Sequence, residues 1–164
     1  MGFLDILIWL VPPGVLLTWL GRRVDRGRRR VEEAIPRLIA LGNRAPEPSL
    51  GLELSNEGRG EALNVIVSLD GCERTSPRLA RIPPGSRETT GQLFYNDNPV
   101  YSQALDDLHL HVRYESTCGL PYESLYKITQ QRRADGKFNP QIDFGSHSLV
   151  EPRVSWLQYF KLGR

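Results

Sequence analysis

Leu52-Glu53-Leu54-Ser55-Asn56-Glu57-Gly58-Arg59-Gly60-Glu61-Ala62-Leu63-Asn64-Val65-Ile66-Val67-Ser68-Leu69-Asp70-Gly71 contains two runs of alternating hydrophobicity joined by a turn. Leu50, Leu52 and Leu54 alternate with Gly51, Glu53 and Ser55. Leu63, Val65, Val67 and Leu69 alternate with Asn64, Ile66 and Ser68. Successive side chains of a strand point to opposite faces, so each run predicts a strand with one apolar face. Asn56-Glu57-Gly58 between them carries turn chemistry.

The same period recurs downstream. Leu108, Leu110, Val112 and Tyr114 alternate with His109, His111, Arg113 and Glu115. Weaker strand patterns cover 78–82, 88–95 and 122–129. Turn signals separate them at Asp70-Gly71, Pro83-Pro84-Gly85, Asn96-Asp97-Asn98-Pro99 and Cys118-Gly119-Leu120-Pro121. The expected fold is mostly β: an antiparallel sandwich of about seven strands over residues 49–150, with no helix between strands.

LELSNEGRGEALNVIVSLDG followed by RIPPGSRETTGQLFY resembles the immunoglobulin-like sandwich modules of bacterial surface and adhesion-type proteins. The residues that carry the resemblance are Asn56, Gly58, Ala62, Asn64 and Pro84-Gly85. It covers about half the chain and implies a fold rather than a function, because such sandwiches host many roles. The buried Trp and paired Cys of antibody-type domains have no counterpart, since no Trp lies between residues 20 and 155.

Upstream the pattern is different. Residues 3–20 read FLDILIWLVPPGVLLTWL, with Asp5 as the only charge. At about 1.5 Å per residue this run spans roughly 27 Å, close to a hydrocarbon core of about 30 Å, so a transmembrane helix is expected over residues 1–21. Pro12 and Pro13 fall mid-segment and predict a kink, which either belongs to a single span on its own or packs against a partner. No Lys or Arg precedes the run and no small-residue cleavage site follows it, which disfavours a signal peptide.

Residues 22–30 hold six arginines, Arg22, Arg23, Arg26, Arg28, Arg29 and Arg30, against Asp25. With Trp9 and Trp19 they form the expected lipid-interface set. The positive-inside rule then places the N-terminus outside and the β domain in the cytoplasm of a bacterial inner membrane. The net charge is +2, so the rest of the chain is close to neutral, which argues against nucleic acid as a partner. Val31, Ala34, Ile35, Leu38, Ile39 and Leu41 predict a short amphipathic helix, followed by a Pro-containing linker to residue 48.

The tail, 151–164, carries Trp156, Leu157, Tyr159 and Phe160 close to Lys161 and Arg164. It reads as a last strand or as a short helix after Pro152, and it either packs on the sandwich or contacts a membrane interface or partner.

No nucleophile or phosphate-loop motif is present, and no cofactor is implied. His109 and His111 share a strand face and could begin a metal site, but no third ligand adjoins them in sequence. Cys72 and Cys118 make no metal spacing and could pair once. The leading expectation is a non-enzymatic, membrane-anchored scaffold or accessory subunit of a membrane complex, respiratory or photosynthetic. Its expected partners are membrane lipids and other membrane subunits. The alternatives are a tethered peptide- or ligand-binding module and a metal protein using His109 and His111.

Overall fold

The computed structural model describes residues 12–43, 51–70, 75–90 and 106–163. The chain divides into a helical unit, Met1–Glu33 with Arg153–Arg164, and a β unit, Ala34–Pro152.

The helical unit contains α1 (Pro13–Glu33) and α2 (Trp156–Leu162). Pro13 is the first residue of α1. Proline suits that position, because the missing N–H would have no intrahelical acceptor there and φ is already helical. The Pro12 carbonyl accepts from the Val15 and Leu16 amides to start the first turn. After nine mostly apolar residues, α1 carries six arginines and Asp25, Glu32 and Glu33. Among the described residues no helix is long and apolar enough to cross a membrane. This overturns the expected transmembrane helix and the single-pass topology built on it. Residues 1–11, including Trp9, lie outside the described residues, as does the linker at 44–50.

In the β unit, the expected amphipathic helix over 31–41 is corrected as well. α1 stops at Glu33, and Leu38–Asn43 is strand β1. Pro36 blocks helix continuation, and the buried pair Leu38 and Ala40 alternates with the more exposed Ile39 and Leu41 at period two.

The other strands are β2 (Leu52–Asn56), β3 (Ala62–Leu69), β4 (Leu79–Ile82), β5 (Arg87–Thr89), β6 (His109–Glu115), β7 (Pro121–Arg132) and β8 (Phe138–Val150). They form a three-stranded sheet, β1-β2-β5, and a five-stranded sheet, β4-β3-β6-β7-β8. Every pairing between these strands is antiparallel. The mostly β expectation and the two-sheet sandwich are therefore met. The thirteen-residue β8 has no forerunner in the sequence reading, because Pro140, Gly145 and a polar composition conceal its alternation. The expected strand at 88–95 is described only as far as Thr90, and β5 ends at Thr89.

Apolar side chains from both sheets fill the interior, among them Leu38, Leu52, Leu54, Val65, Val67, Leu110 and Val112, each 1% exposed or less. Two tyrosines of the larger sheet reach across to β1. Tyr126 Oη accepts from the Ala40 amide at 2.8 Å, and Tyr114 Oη accepts from the Leu38 amide at 3.4 Å. Ser124 Oγ, 3.3 Å from Tyr114 Oη, donates to the Leu38 carbonyl at 3.0 Å. The phenyl rings thus add apolar area to the core while their hydroxyls satisfy the backbone of β1.

Tyr126 is covered by an excursion of β8. Leu125 pairs with Ser148 and Lys127 with Asp143, so residues 144–147 swing out of the ladder. Phe144 then meets the Tyr126 ring edge-on at 6.3 Å, and His147 lies 5.1 Å from it.

The turn between β2 and β3 is held by Asn56, which is fully buried. Its amide nitrogen donates to the Gly60 and Ile82 carbonyls at 2.8 and 2.9 Å. Its Oδ1 accepts from the Arg37 and Gly58 amides at 3.2 and 3.0 Å. The Glu57 amide donates to the Arg37 carbonyl, and the Arg59 and Gly60 amides to that of Ile35. Gly58 and Gly60 sit so close to the backbone of 34–37 that a β-carbon at either would overlap it.

Candidate functional site

The helical unit brings together most of the residues that the sequence marks as interface groups. α2 starts at Ser155, whose Oγ accepts from the Gln158 amide while Gln158 Oε1 accepts from the Ser155 amide at 2.7 Å. This reciprocal cap selects a helix for the aromatic tail in place of the alternative last strand.

α2 packs on α1 within the same unit. Gly27 faces the Tyr159 carbonyl, and Gly163 faces the Arg23 carbonyl, each so closely that a β-carbon would overlap it. Glycine at both points lets the two backbones approach. Trp19 and Phe160 meet edge-to-face at 6.0 Å, and the Arg23 guanidinium lies 5.2 Å from the Trp19 ring and 4.4 Å from the Phe160 ring. Arg23 Nε also donates to the Phe160 carbonyl at 3.2 Å.

The six arginines therefore divide by task. Arg23 is held in the aromatic cluster. Arg30 donates to the Leu162 carbonyl at the C-terminus of α2 at 2.8 Å, where a cation also opposes the helix dipole. Arg28 pairs with Glu32 one turn on at 2.9 Å. Arg22, Arg26 and Arg29, at helical spacings of three and four, line a hollow of about 460 Å³ with Trp19 and Asp25. Arg26 Nε touches the Arg22 carbonyl at 3.4 Å.

Apolar groups accompany these cations. Val15, Leu16 and Leu17 on the first turns of α1 are 58, 42 and 68% exposed, and Trp19 is 46% exposed. On α2, Trp156 and Leu157 are 65 and 48% exposed. Of the residues expected to contact a partner, Trp156 is thus presented outward. Phe160 is engaged with Trp19 and Arg23, the Tyr159 backbone abuts Gly27, and Pro12 and Pro13 open α1.

A second polar group lies on the larger sheet. The His111 ring sits between two carboxylates: Nδ1 is 2.9 Å from Glu123 Oε1 and Nε2 is 2.9 Å from Asp70 Oδ1. The other Asp70 oxygen accepts from the His109 amide at 3.1 Å and lies 3.5 Å from His109 Nδ1. Arg113 Nε donates to Glu123 Oε1 at 2.7 Å. Partial burial by itself would raise the Glu123 carboxyl, but the hydrogen bonds from Arg113 and His111 outweigh it and hold the group below its ordinary value. His109 and His111 do share one face, as their spacing requires, and the carboxylates bind the imidazoles instead of completing a ligand set. Among the described residues no group of three or more His, Cys, Asp and Glu is arranged to hold a metal ion. Sequence separation concealed this cluster, since Asp70 and Glu123 lie 41 and 12 residues from His111.

Next to it, a hollow of about 440 Å³ is lined by Ile66, Arg78, Arg113, Tyr122, Glu123 and Glu151, among others. Its lining also includes the stacked pair Tyr114 and Tyr122, with ring centroids 5.8 Å apart. Cys118 lies half-buried in the turn before β7, and Cys72 lies outside the described residues.

Compared with protein-family models, curated proteins and solved structures, the chain matches none of them.

Proposed function

We propose that this chain is a non-catalytic accessory protein that binds its partner through the helical unit, with the β unit as its stable body. The observation that carries this reading is that α1 exposes Val15, Leu16, Leu17 and Trp19 directly ahead of Arg22, Arg26 and Arg29, while α2 of the same unit exposes Trp156 and Leu157. Isolated exposed leucines are ordinary on a protein surface, whereas an apolar group rimmed by charge marks an interaction site.

The polar cluster on the larger sheet supports a structural reading. Each ring nitrogen of His111 faces a carboxylate, and Glu123 is shared with Arg113, so these groups satisfy one another. The adjoining hollow draws its Arg113 and Glu123 from that same pairing, which makes it a weaker candidate for a peptide or small ligand.

Photo-crosslinking in the producing cell tests the proposal. A photoreactive residue at Leu157 should give adducts, and one at the exposed Ser148 of β8 should give none. Adducts confined to Ser148 would move the binding surface to the sheet and end this reading.

A further inference from the structure

We infer that the surface bound by the helical unit is an anionic phospholipid surface, gripped at its phosphates by Arg22, Arg26 and Arg29. The inference rests on the preceding reading that this unit is the binding surface, and it names the partner's chemistry.

Three of the six arginines are already engaged within the unit: Arg23 with Phe160, Arg28 with Glu32 and Arg30 with the Leu162 carbonyl. The other three open together into one hollow beside Trp19, with Asp25 as the only acid among the described residues that line it. A planar guanidinium presents paired donors that match a phosphate.

The position of the apolar groups selects lipid over other polyanions. Exposed Leu16 and Leu17 precede the arginines along α1, and Trp19 stands between the two sets. Five residues from Leu17 to Arg22 rise about 7.5 Å along a helix. A headgroup layer is about 5–8 Å thick, from the difference between the whole bilayer and its hydrocarbon core. An aliphatic turn, an indole and a phosphate-binding turn thus fall at the depths where a membrane boundary has hydrocarbon, headgroup and phosphate. Nucleic acid would engage the same arginines but would have no use for the aliphatic turn. The binding is peripheral, since no described helix is long and apolar enough to cross a bilayer.

Flotation of the full chain with vesicles of equal parts phosphatidylglycerol and phosphatidylcholine tests this. Binding should be strong there, weak to phosphatidylcholine alone, and reduced by salt. R22Q/R26Q/R29Q should lower the partition coefficient roughly a hundredfold, and R22K/R26K/R29K should retain most of it. R28Q should lower it by roughly fivefold at most, far less than the triple variant, because Arg28 does not line the hollow and pairs with Glu32. W156S/L157S should lower it by roughly tenfold or more. Equal binding to neutral vesicles, or an R28Q loss as large as the triple variant's, would overturn the inference. So would heparin binding that matches vesicle binding and ignores W156S/L157S, the signature of a polyanion site. Absence of flotation together with protein adducts at Leu157 would remove the lipid inference and leave the docking reading standing. Absence of both would remove both.

Discussion

Asn56 is a buried amide that ties three segments of the β unit together. It bonds the segment before β1 through Arg37, its own turn through Gly58 and Gly60, and the end of β4 through Ile82. Removing the side chain leaves buried donors and acceptors with no partner, at about 1–3 kcal/mol for each orphaned group. Asn56→Ala should therefore destabilise the β unit by about 3 kcal/mol or more, seen as a lower urea midpoint. A loss below about 1 kcal/mol would mean that water replaces the amide. Asn64 acts through its backbone. With φ at 53° it sits in the left-handed region that asparagine tolerates better than most residues, and it bulges β3 so that Leu63 pairs with Glu115 but Ile66 with Arg113. The bulge turns Ala62 into the core in place of Leu63, which simple alternation had put there.

Elements divide into those whose signals are local and those whose signals are not. α2 has a local one, the reciprocal cap of Ser155 and Gln158. Ser155→Ala should cost about 1 kcal/mol and fray α2, seen as faster amide exchange over 156–162 with the exchange of the β strands unchanged. α1 meets α2 at Gly27, where a β-carbon would run into the Tyr159 carbonyl. Alanine normally favours a helix over glycine by about 1 kcal/mol, yet Gly27→Ala should separate α2 from α1 and bare the side of the Trp19 ring that Phe160 covers, seen as a red shift of its emission. A gain in helix stability with the Trp19 environment unchanged would show that the close approach is dispensable. β1 and β8 lacked such signals. β1 follows Pro36 closely, and β8 departs from its ladder at 144–147.

For the molecule as a whole, buried titratable groups bound the pH range of stability on both sides. Burial raises Tyr114 and pushes Tyr126 up to about 12 from an ordinary 10.0. Because the folded values lie above the unfolded ones, their contribution is complete below pH 10.0 and is lost as pH rises toward 12. Tyr126→Phe should flatten that alkaline loss, and it should also cost about 1–3 kcal/mol at neutral pH by orphaning the Ala40 amide. On the acid side, burial and then the Arg37 charge lower His147. The unfolded chain therefore takes up a proton near pH 6.5 that the folded chain refuses, and stability falls as pH drops below that value. His147→Gln should remove this first acid step in thermal melts. A second step, from the lowered Glu123, should remain below about 4.5.

How much of this was legible beforehand follows from the range of each interaction. Period-two hydrophobicity marked β2, β3 and β6 because alternation is a property of neighbouring residues, and the mostly β class followed. The Arg-rich segment and the aromatic tail were visible as composition. That Gly27 would seat α2 on α1, leaving Arg22, Arg26 and Arg29 to face outward together, was not. The apolar run ahead of the arginines suggested a membrane-crossing helix. The described helix instead begins at Pro13 and changes from apolar to cationic within about two turns. His111 carried the right spacing to His109, but its carboxylate partners come from β7 and from the end of β3. Which segments alternate, where charge gathers and which turns must form are thus written in the chain, since those depend on residues a few positions apart. Folding in three dimensions settled that β1 is a strand, that two tyrosines bind it across the sandwich, and which arginines stay outside the contacts of α1 with α2. Those outcomes depend on backbone groups and side chains brought together from tens of residues away, where no local pattern records them.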